Sequence, residues 1–160
     1  FMTTTVNDVA DYIIVRLDEP SHGLNLLKLQ KLVYYVQAWC LALTGAPLFN
    51  GKFQAWIHGP VSRTLYDRFS ATHMMYDPID VNGVRPNFDP NALPEADRLH
   101  IDEILDAYAQ FSGPQLERMT HEEDPWLLAR GNLRPSERCE TELDEGLMGT
   151  FYKGLLEKAA

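Results

Sequence analysis

The chain has 160 residues, with 14 Lys and Arg against 23 Asp and Glu, so its formal net charge is -9 with His neutral. This length favours one domain, and a hydrophobic fraction of 45% supplies enough apolar surface for a packed core, which excludes collagen, coiled coil and wholesale disorder. The acidic balance disfavours nucleic acid or an anionic membrane as the main partner, because both would repel the chain. A partner protein with a basic surface would complement this acidic chain better.

The two cysteines, Cys40 and Cys139, are too few for a disulfide framework, and neither lies in a Cys-x-x-Cys pair. We expect both to be free thiols in a reducing compartment. No apolar run approaches the roughly 18 residues that a membrane span needs, and the N-terminus lacks the order of a signal peptide. The sequence therefore predicts a cytoplasmic protein without a membrane partner.

Two helices are predicted first. Apolar residues recur at helical spacing over residues 6–17, and Thr5 with Asp8 forms a capping pattern before them. Asn25 offers the cap of a second helix that runs to about residue 44. This second helix is apolar on more than one face, so we expect it near the centre of the fold.

A short half-buried strand is predicted next, because Phe53, Ala55 and Ile57 alternate with more polar residues. Gly59-Pro60 interrupts this pattern, and Pro60 can open a helix because a proline at the first helical position loses no hydrogen bond.

The later elements follow from caps and turns. Residues 71–94 hold four prolines and an Asn82-Gly83 turn, which predicts a small hairpin in a long connection. Ser112 with Gln115 forms a second capping pattern. Further helices are predicted after Pro94, Ser112 and Asp124 and, beyond an acidic segment, from about residue 146. Because no repeat or linker divides these elements, the fold class is mainly α, a single compact helical domain around a central apolar helix with a small β element.

One cluster could carry metal chemistry. His121 stands beside Glu122, Glu123 and Asp124, but the cluster lacks the second His of a His-Glu-x-x-His site. The alternative is a solvated acidic helix end. His58 could act as a base at a strand end, although no triad spacing accompanies it. A small metal-dependent hydrolase using His121, its neighbouring carboxylates and His58 therefore stays open.

Aromatic and basic residues occur together over residues 28–39, and such a segment could stack on nucleic acid. With only two lysines there and a net charge of -9, a core helix is favoured. A strand and helix over residues 53–69 could form a winged-helix-like nucleic-acid reader, and this is the third hypothesis. We expect no nucleic-acid partner.

Four sequence segments, here called the motif segments, resemble the Panacea-domain antitoxins, a bacterial and phage-borne family that includes the SocA-like proteins. They are Leu29–Tyr35 through Trp39, Pro47–Phe49, Ala55–Val61, and Thr120-His121 with Pro125-Trp126. The resemblance covers about residues 6–130. Family members often carry an acidic residue where Gln54 stands and an aromatic one at His58, and residues after Gly131 have no clear counterpart.

The resemblance implies a mainly helical antitoxin that binds a separately encoded protein toxin and neutralises it. Residues 1–160 are then a single Panacea-like antitoxin domain, with the motif match at about 6–130 and an acidic segment and C-terminal helix at 137–160. The SocA-like branch implies a proteolytic adaptor that delivers the toxin to the AAA+ protease ClpXP. Direct masking of the toxin without delivery is the alternative.

No nucleophile or acid/base pair is assembled in the sequence, so we expect a binding protein, not an enzyme, and no cofactor. Polar or amphipathic residues in the motif segments are the predicted toxin contacts, because they can present hydrogen-bonding groups from an apolar surface. They are Gln30, Lys31, Tyr34, Trp56, His58 and His121.

Overall fold

The computed structural model describes residues 3–159, which form seven α-helices and a two-stranded antiparallel sheet. The helices are α1 (Val6–Arg16), α2 (Leu26–Thr44), α3 (Arg63–Phe69), α4 (Glu95–Tyr108), α5 (Gly113–His121), α6 (Asp124–Arg130) and α7 (Glu145–Ala159). The strands are β1 (Phe53–Trp56) and β2 (Gly59–Ser62). The predicted mainly α fold with a small β element is confirmed.

Helix α2 is the centre of the structure. Every residue from Leu26 to Ala38 is buried, because α1, α4, α5, α7 and β2 all pack around this helix. A helix that is covered on all sides needs apolar residues on several faces, which explains its sequence.

The predicted helix starts are confirmed at three caps. Thr5 and Ser112 each form a capping box, and the side chain of Asn25 accepts a hydrogen bond from the backbone N–H of Lys28. These caps satisfy backbone donors that the first helical turn leaves free, so they define where each helix begins.

The prediction that Pro60 opens a helix is wrong. Residues Gly59–Ser62 form β2, which pairs with β1 so that Trp56 lies opposite Gly59. The helix α3 begins only at Arg63, after the Ser62 hydroxyl accepts a hydrogen bond from Leu65 N–H. A proline is tolerated in β2 because this strand has β1 on one side only.

The predicted hairpin around Asn82-Gly83 is also wrong. Within residues 79–85 the structure has a single 3₁₀ turn at Val81–Gly83, where the Asp80 side chain accepts a hydrogen bond from Asn82 N–H. The backbone N–H of Ile79 donates to the Leu24 carbonyl, which fixes this connection against the segment before α2.

The chain returns to the sheet before α7. Ala55 N–H donates to the Thr141 carbonyl and Leu143 N–H donates to the Phe53 carbonyl, both at 2.8 Å. Residues 141–143 therefore lie along the free edge of β1. Across the described range 3–159, no helix has the length and apolarity that crossing a membrane requires.

Candidate functional site

Side chains of α2 hold the outer edge of β2. The Gln30 amide donates to the Ser62 carbonyl at 3.1 Å and accepts from the Ser62 N–H at 2.9 Å, as a neighbouring strand would. Lys31 Nζ donates to the Pro60 carbonyl at 3.1 Å. These bonds satisfy buried backbone groups that would otherwise have no partner, and they fix the hairpin to the central helix.

The hairpin fits against α2 and α5 only because residue 59 is a glycine. Gly59 has φ +102°, a conformation that other residues rarely adopt. A Cβ atom at this position would lie 2.5 Å from Lys31 Cε and 2.8 Å from Thr120 Oγ1. The turn formed by Ile57 and His58 is thereby held at a fixed place on the surface.

Helix α6 contacts the opposite strand of the hairpin. Trp126 Nε1 donates to the Trp56 carbonyl at 2.8 Å, and the Arg130 guanidinium donates to the Ala55 carbonyl at 2.9 Å. The same guanidinium donates to the carbonyls of Arg134 and Glu137. Arg130 therefore connects the hairpin to the segment that returns toward it.

The four motif segments converge in space. The second segment is held by Gln37 of α2, whose amide donates to the Phe49 carbonyl and accepts from Leu48 N–H, both at 2.8 Å. The first, third and fourth segments meet at the hairpin. Most motif residues therefore build one scaffold, in which α2, α5 and α6 fix the hairpin in position.

An open groove of about 520 Å³ lies beside this hairpin. Its walls come from the first half of α2, the hairpin, α3, residues 73–75 and residues 138–140. Apolar side chains dominate the lining and include Leu27, Trp56, Val61, Tyr66, Met74 and Met75. Grooves of this size with a few polar groups are the usual form of a protein's binding site.

The structure brings four of the six predicted contact residues to this groove, namely Gln30, Lys31, Trp56 and His58. Trp56 is half-buried and His58 is exposed. The structure buries Gln30 and Lys31, so their expected exposure on a surface is wrong, although they line the groove beneath the hairpin. Their part in toxin binding stays a prediction.

The other two predicted residues lie elsewhere. Tyr34 is fully buried, and its hydroxyl lies 3.0 Å from the Tyr152 hydroxyl of α7, so its expected surface position is also wrong. The His121 ring stacks on Trp126 at a centroid distance of 4.1 Å, behind the hairpin. Among residues 3–159, no group is placed to hydrogen-bond its buried Nε2 atom.

Burial changes the acid–base properties of several groups near the hairpin. It lowers the pKa of Lys31 to about 7 and lowers the pKa of His121. His58 Nδ1 lies 3.1 Å from the Glu117 carboxylate. These side chains form a polar layer under the hairpin turn, next to the apolar groove.

The carboxylates beside His121, on which the alternative metal-dependent hydrolase depends, do not form a metal site. Glu123 accepts hydrogen bonds from Tyr35 at 2.7 Å and from Tyr152 at 2.9 Å, and burial raises its pKa to about 7. Over residues 3–159, no group of three or more His, Cys, Asp and Glu side chains could hold a metal ion. The geometry therefore gives no support to the metal-dependent hydrolase.

Sequence reasoning missed three residues that shape the site. Arg63 and Arg138 line the groove, and Arg130 fixes the segment that carries Arg138. The only sequence pattern over residues 137–145 is their acidic composition, and this pattern does not indicate that Arg138 lines a groove. One carbonyl partner of Arg130 is the distant Ala55 and the others lie in the irregular segment 134–137, so no helical or strand pattern could identify them.

Comparison with known proteins identifies the family. The family described as "Antitoxin SocA-like, Panacea domain" matches residues 29–127, which is more than half of the chain. The chain therefore belongs to the SocA-like, Panacea-domain antitoxin family. The matched range begins within α2 and ends within α6, so it contains the hairpin and its supports from α2, α5 and Trp126, but neither Arg130 nor residues 141–143.

A curated relative is similar to part of the chain. Antitoxin SocA of Caulobacter vibrioides (strain NA1000 / CB15N) is 46% identical over 50 residues, which are 31% of this chain and 27% of that protein. The similarity thus covers about a quarter of the relative's length. No solved structure matches the chain.

Proposed function

We propose that this chain is an antitoxin that binds a separately encoded protein toxin and neutralises it without catalysing a reaction. The observation that carries the proposal is the family match over residues 29–127, whose motif residues build the hairpin beside the open groove. Residues 1–160 act as one antitoxin domain in the cytoplasm.

The arrangement of the site supports binding over catalysis. The lining is mainly apolar, and its two buried polar side chains, Gln30 and Lys31, are used in holding the hairpin. Trp56 and His58 are the predicted residues that line the groove with accessible side chains, so we assign direct toxin contact to these two. Gln30, Lys31, Tyr34 and His121 contribute by keeping the hairpin and helices in place.

Co-expression tests the proposal. Cells that express the product of the neighbouring gene are compared with and without this chain, and the two proteins are then co-purified. Growth arrest that is relieved by this chain, together with a stable complex, supports the antitoxin function. Arrest that continues at equal expression, with no complex recovered, contradicts it.

We further propose that the complex delivers the toxin to the ClpXP protease, as the SocA-like resemblance implies. The half-life of the toxin is measured with and without this chain, in cells that have or lack the protease. A half-life that this chain shortens only in protease-positive cells supports delivery. An unchanged half-life with restored growth favours direct masking instead.

A further inference from the structure

The groove has a charge balance opposite to that of the whole chain. Two exposed arginines, Arg63 and Arg138, line the groove against one anionic side chain, Glu140. The full chain has 14 Lys and Arg against 23 Asp and Glu. A locally basic groove on an acidic protein attracts an acidic ligand and disfavours a basic one.

Apolar side chains lie next to these cations. Trp56 and Tyr66 pack edge to face at a centroid distance of 4.8 Å, and the Arg63 guanidinium lies 5.6 Å from the Trp56 ring. Met74 is 79% exposed at the rim. Exposed aromatic and methionine side chains beside an arginine are typical of surfaces that bind protein segments.

Arg138 is the cation that is most available to a ligand. Arg63 contacts Asp67 at 3.3 Å and Glu140 at 3.5 Å, whereas Arg138 is exposed and forms no ion pair with any of residues 3–159. Its backbone is fixed on both sides, because Arg130 binds the Glu137 carbonyl and Cys139 is buried. The charge therefore has a defined place at the edge of the groove.

We infer that the groove binds an extended acidic segment of the toxin. A carboxylate of this segment faces Arg138 and Arg63, and a neighbouring aliphatic or aromatic side chain packs against Trp56, Tyr66 and Met74. This inference rests on the proposed function for the identity of the partner, while the chemistry of the segment follows from the groove. Nucleic acid is disfavoured because a phosphate backbone needs a longer series of cations than two exposed arginines.

A peptide selection tests the chemistry without knowledge of the toxin. Random twelve-residue peptides are displayed and selected on the immobilised full chain, and fluorescein-labelled winners are titrated by anisotropy. The expected winners carry Asp or Glu next to Leu, Phe or Trp. Arg138→Glu weakens their binding at least tenfold, Met74→Glu weakens it at least fivefold, and replacing the peptide's acidic residues by Lys abolishes binding to the wild-type chain.

The matched control is Arg118→Glu, which makes the same charge change at an exposed arginine of α5 outside the groove. This variant keeps the peptide affinity within twofold. Circular dichroism of each variant confirms that it is folded before titration. The inference is overturned if no peptide is enriched, if the winners lack acidic residues, or if Arg138→Glu leaves their affinity unchanged.

Two further arms separate this inference from the proposed function. In the first arm, a fluorescein-labelled dT12 oligonucleotide is titrated in the same way. If it binds more tightly than the peptides, and Arg138→Glu abolishes this binding, the assignment of the groove to a peptide is overturned. Growth rescue is measured for the wild type and for Arg138→Glu. If both relieve the arrest and bind the toxin equally well, the groove assignment fails while the antitoxin function stands. If the wild type gives no rescue although acidic peptides bind the groove, the antitoxin function fails alone.

Discussion

Glu123→Gln is the substitution with the best-defined effect on stability. The Glu123 carboxylate lies between α2 and α7, where it accepts hydrogen bonds from the hydroxyls of Tyr35 and Tyr152. Burial raises its pKa from 4.5 to about 7. A glutamine keeps an oxygen that can accept both bonds but carries no charge, so this variant isolates the cost of burying the carboxylate.

The sign and size of the effect follow from proton linkage. Between pH 4.5 and about 7 the unfolded chain loses this proton before the folded chain does, so the free energy of unfolding falls as the pH rises. Below pH 4.5 both states are protonated and the site contributes no pH dependence. Above pH 7 the cost reaches its full value, which is at most about 3 kcal/mol. The real gain is smaller, because the hydroxyls donate more strongly to a charged carboxylate than to an amide.

Urea unfolding at pH 5 and pH 8 measures the effect, with circular dichroism as the signal. We expect Glu123→Gln to be about 1–3 kcal/mol more stable than the wild type at pH 8, and less than about 1 kcal/mol more stable at pH 5. The control is Glu122→Gln, an exposed neighbour, for which the difference from the wild type should not change with pH. If the difference between Glu123→Gln and the wild type is the same at both pH values, the buried-carboxylate reasoning is wrong.

Three further substitutions test the hairpin and its surroundings. Gly59→Ala should lower the free energy of unfolding by about 2–4 kcal/mol, because residue 59 has a positive φ and an added Cβ would clash with Lys31 and Thr120. A smaller loss of free energy in urea unfolding would contradict this close approach. Gln30→Leu should lower the free energy of unfolding by about 2–4 kcal/mol, since two buried backbone groups of β2 lose their partners. The control Gln110→Leu, on the surface, should leave the free energy of unfolding nearly unchanged. Trp56→Ala should weaken toxin binding at least tenfold. It should lower the free energy of unfolding less than Trp126→Ala, which removes a buried side chain and costs about 3–5 kcal/mol. The opposite order of the two tryptophans would show that Trp56 is a core residue.

Local signals in the sequence predicted the helices well. Caps such as Thr5, Asn25 and Ser112 act within three residues of themselves, so a sequence pattern contains the whole interaction. The all-round apolar pattern of α2 likewise indicated its central place, because burial on every side leaves a direct trace in composition.

Interactions between distant residues could not be predicted in this way. Pro60 was assigned to a helix because nothing near it shows that Gln30 and Lys31, some thirty residues earlier, take the place of a neighbouring strand. For the same reason these two polar residues were expected on a surface. Their buried backbone partners exist only once the hairpin has folded onto α2.

The candidate site was predicted in part. Trp56 and His58 are predicted contacts because they are polar or amphipathic residues of the motif segments, and the structure places both at the groove. The arginine at position 138 could not be recognised, because its place depends on the contacts of Arg130 with the distant Ala55 carbonyl and with the irregular segment 134–137.

Direct binding between two purified proteins decides whether this chain acts by holding a partner. The chain is titrated calorimetrically into the purified product of the neighbouring gene, with no protease present. Saturable binding at a fixed stoichiometry, weakened at least tenfold by Trp56→Ala and unchanged by Arg118→Glu, is the expected result. No binding heat and no complex on size-exclusion chromatography, from a toxin that is active and a chain that is folded, would contradict it.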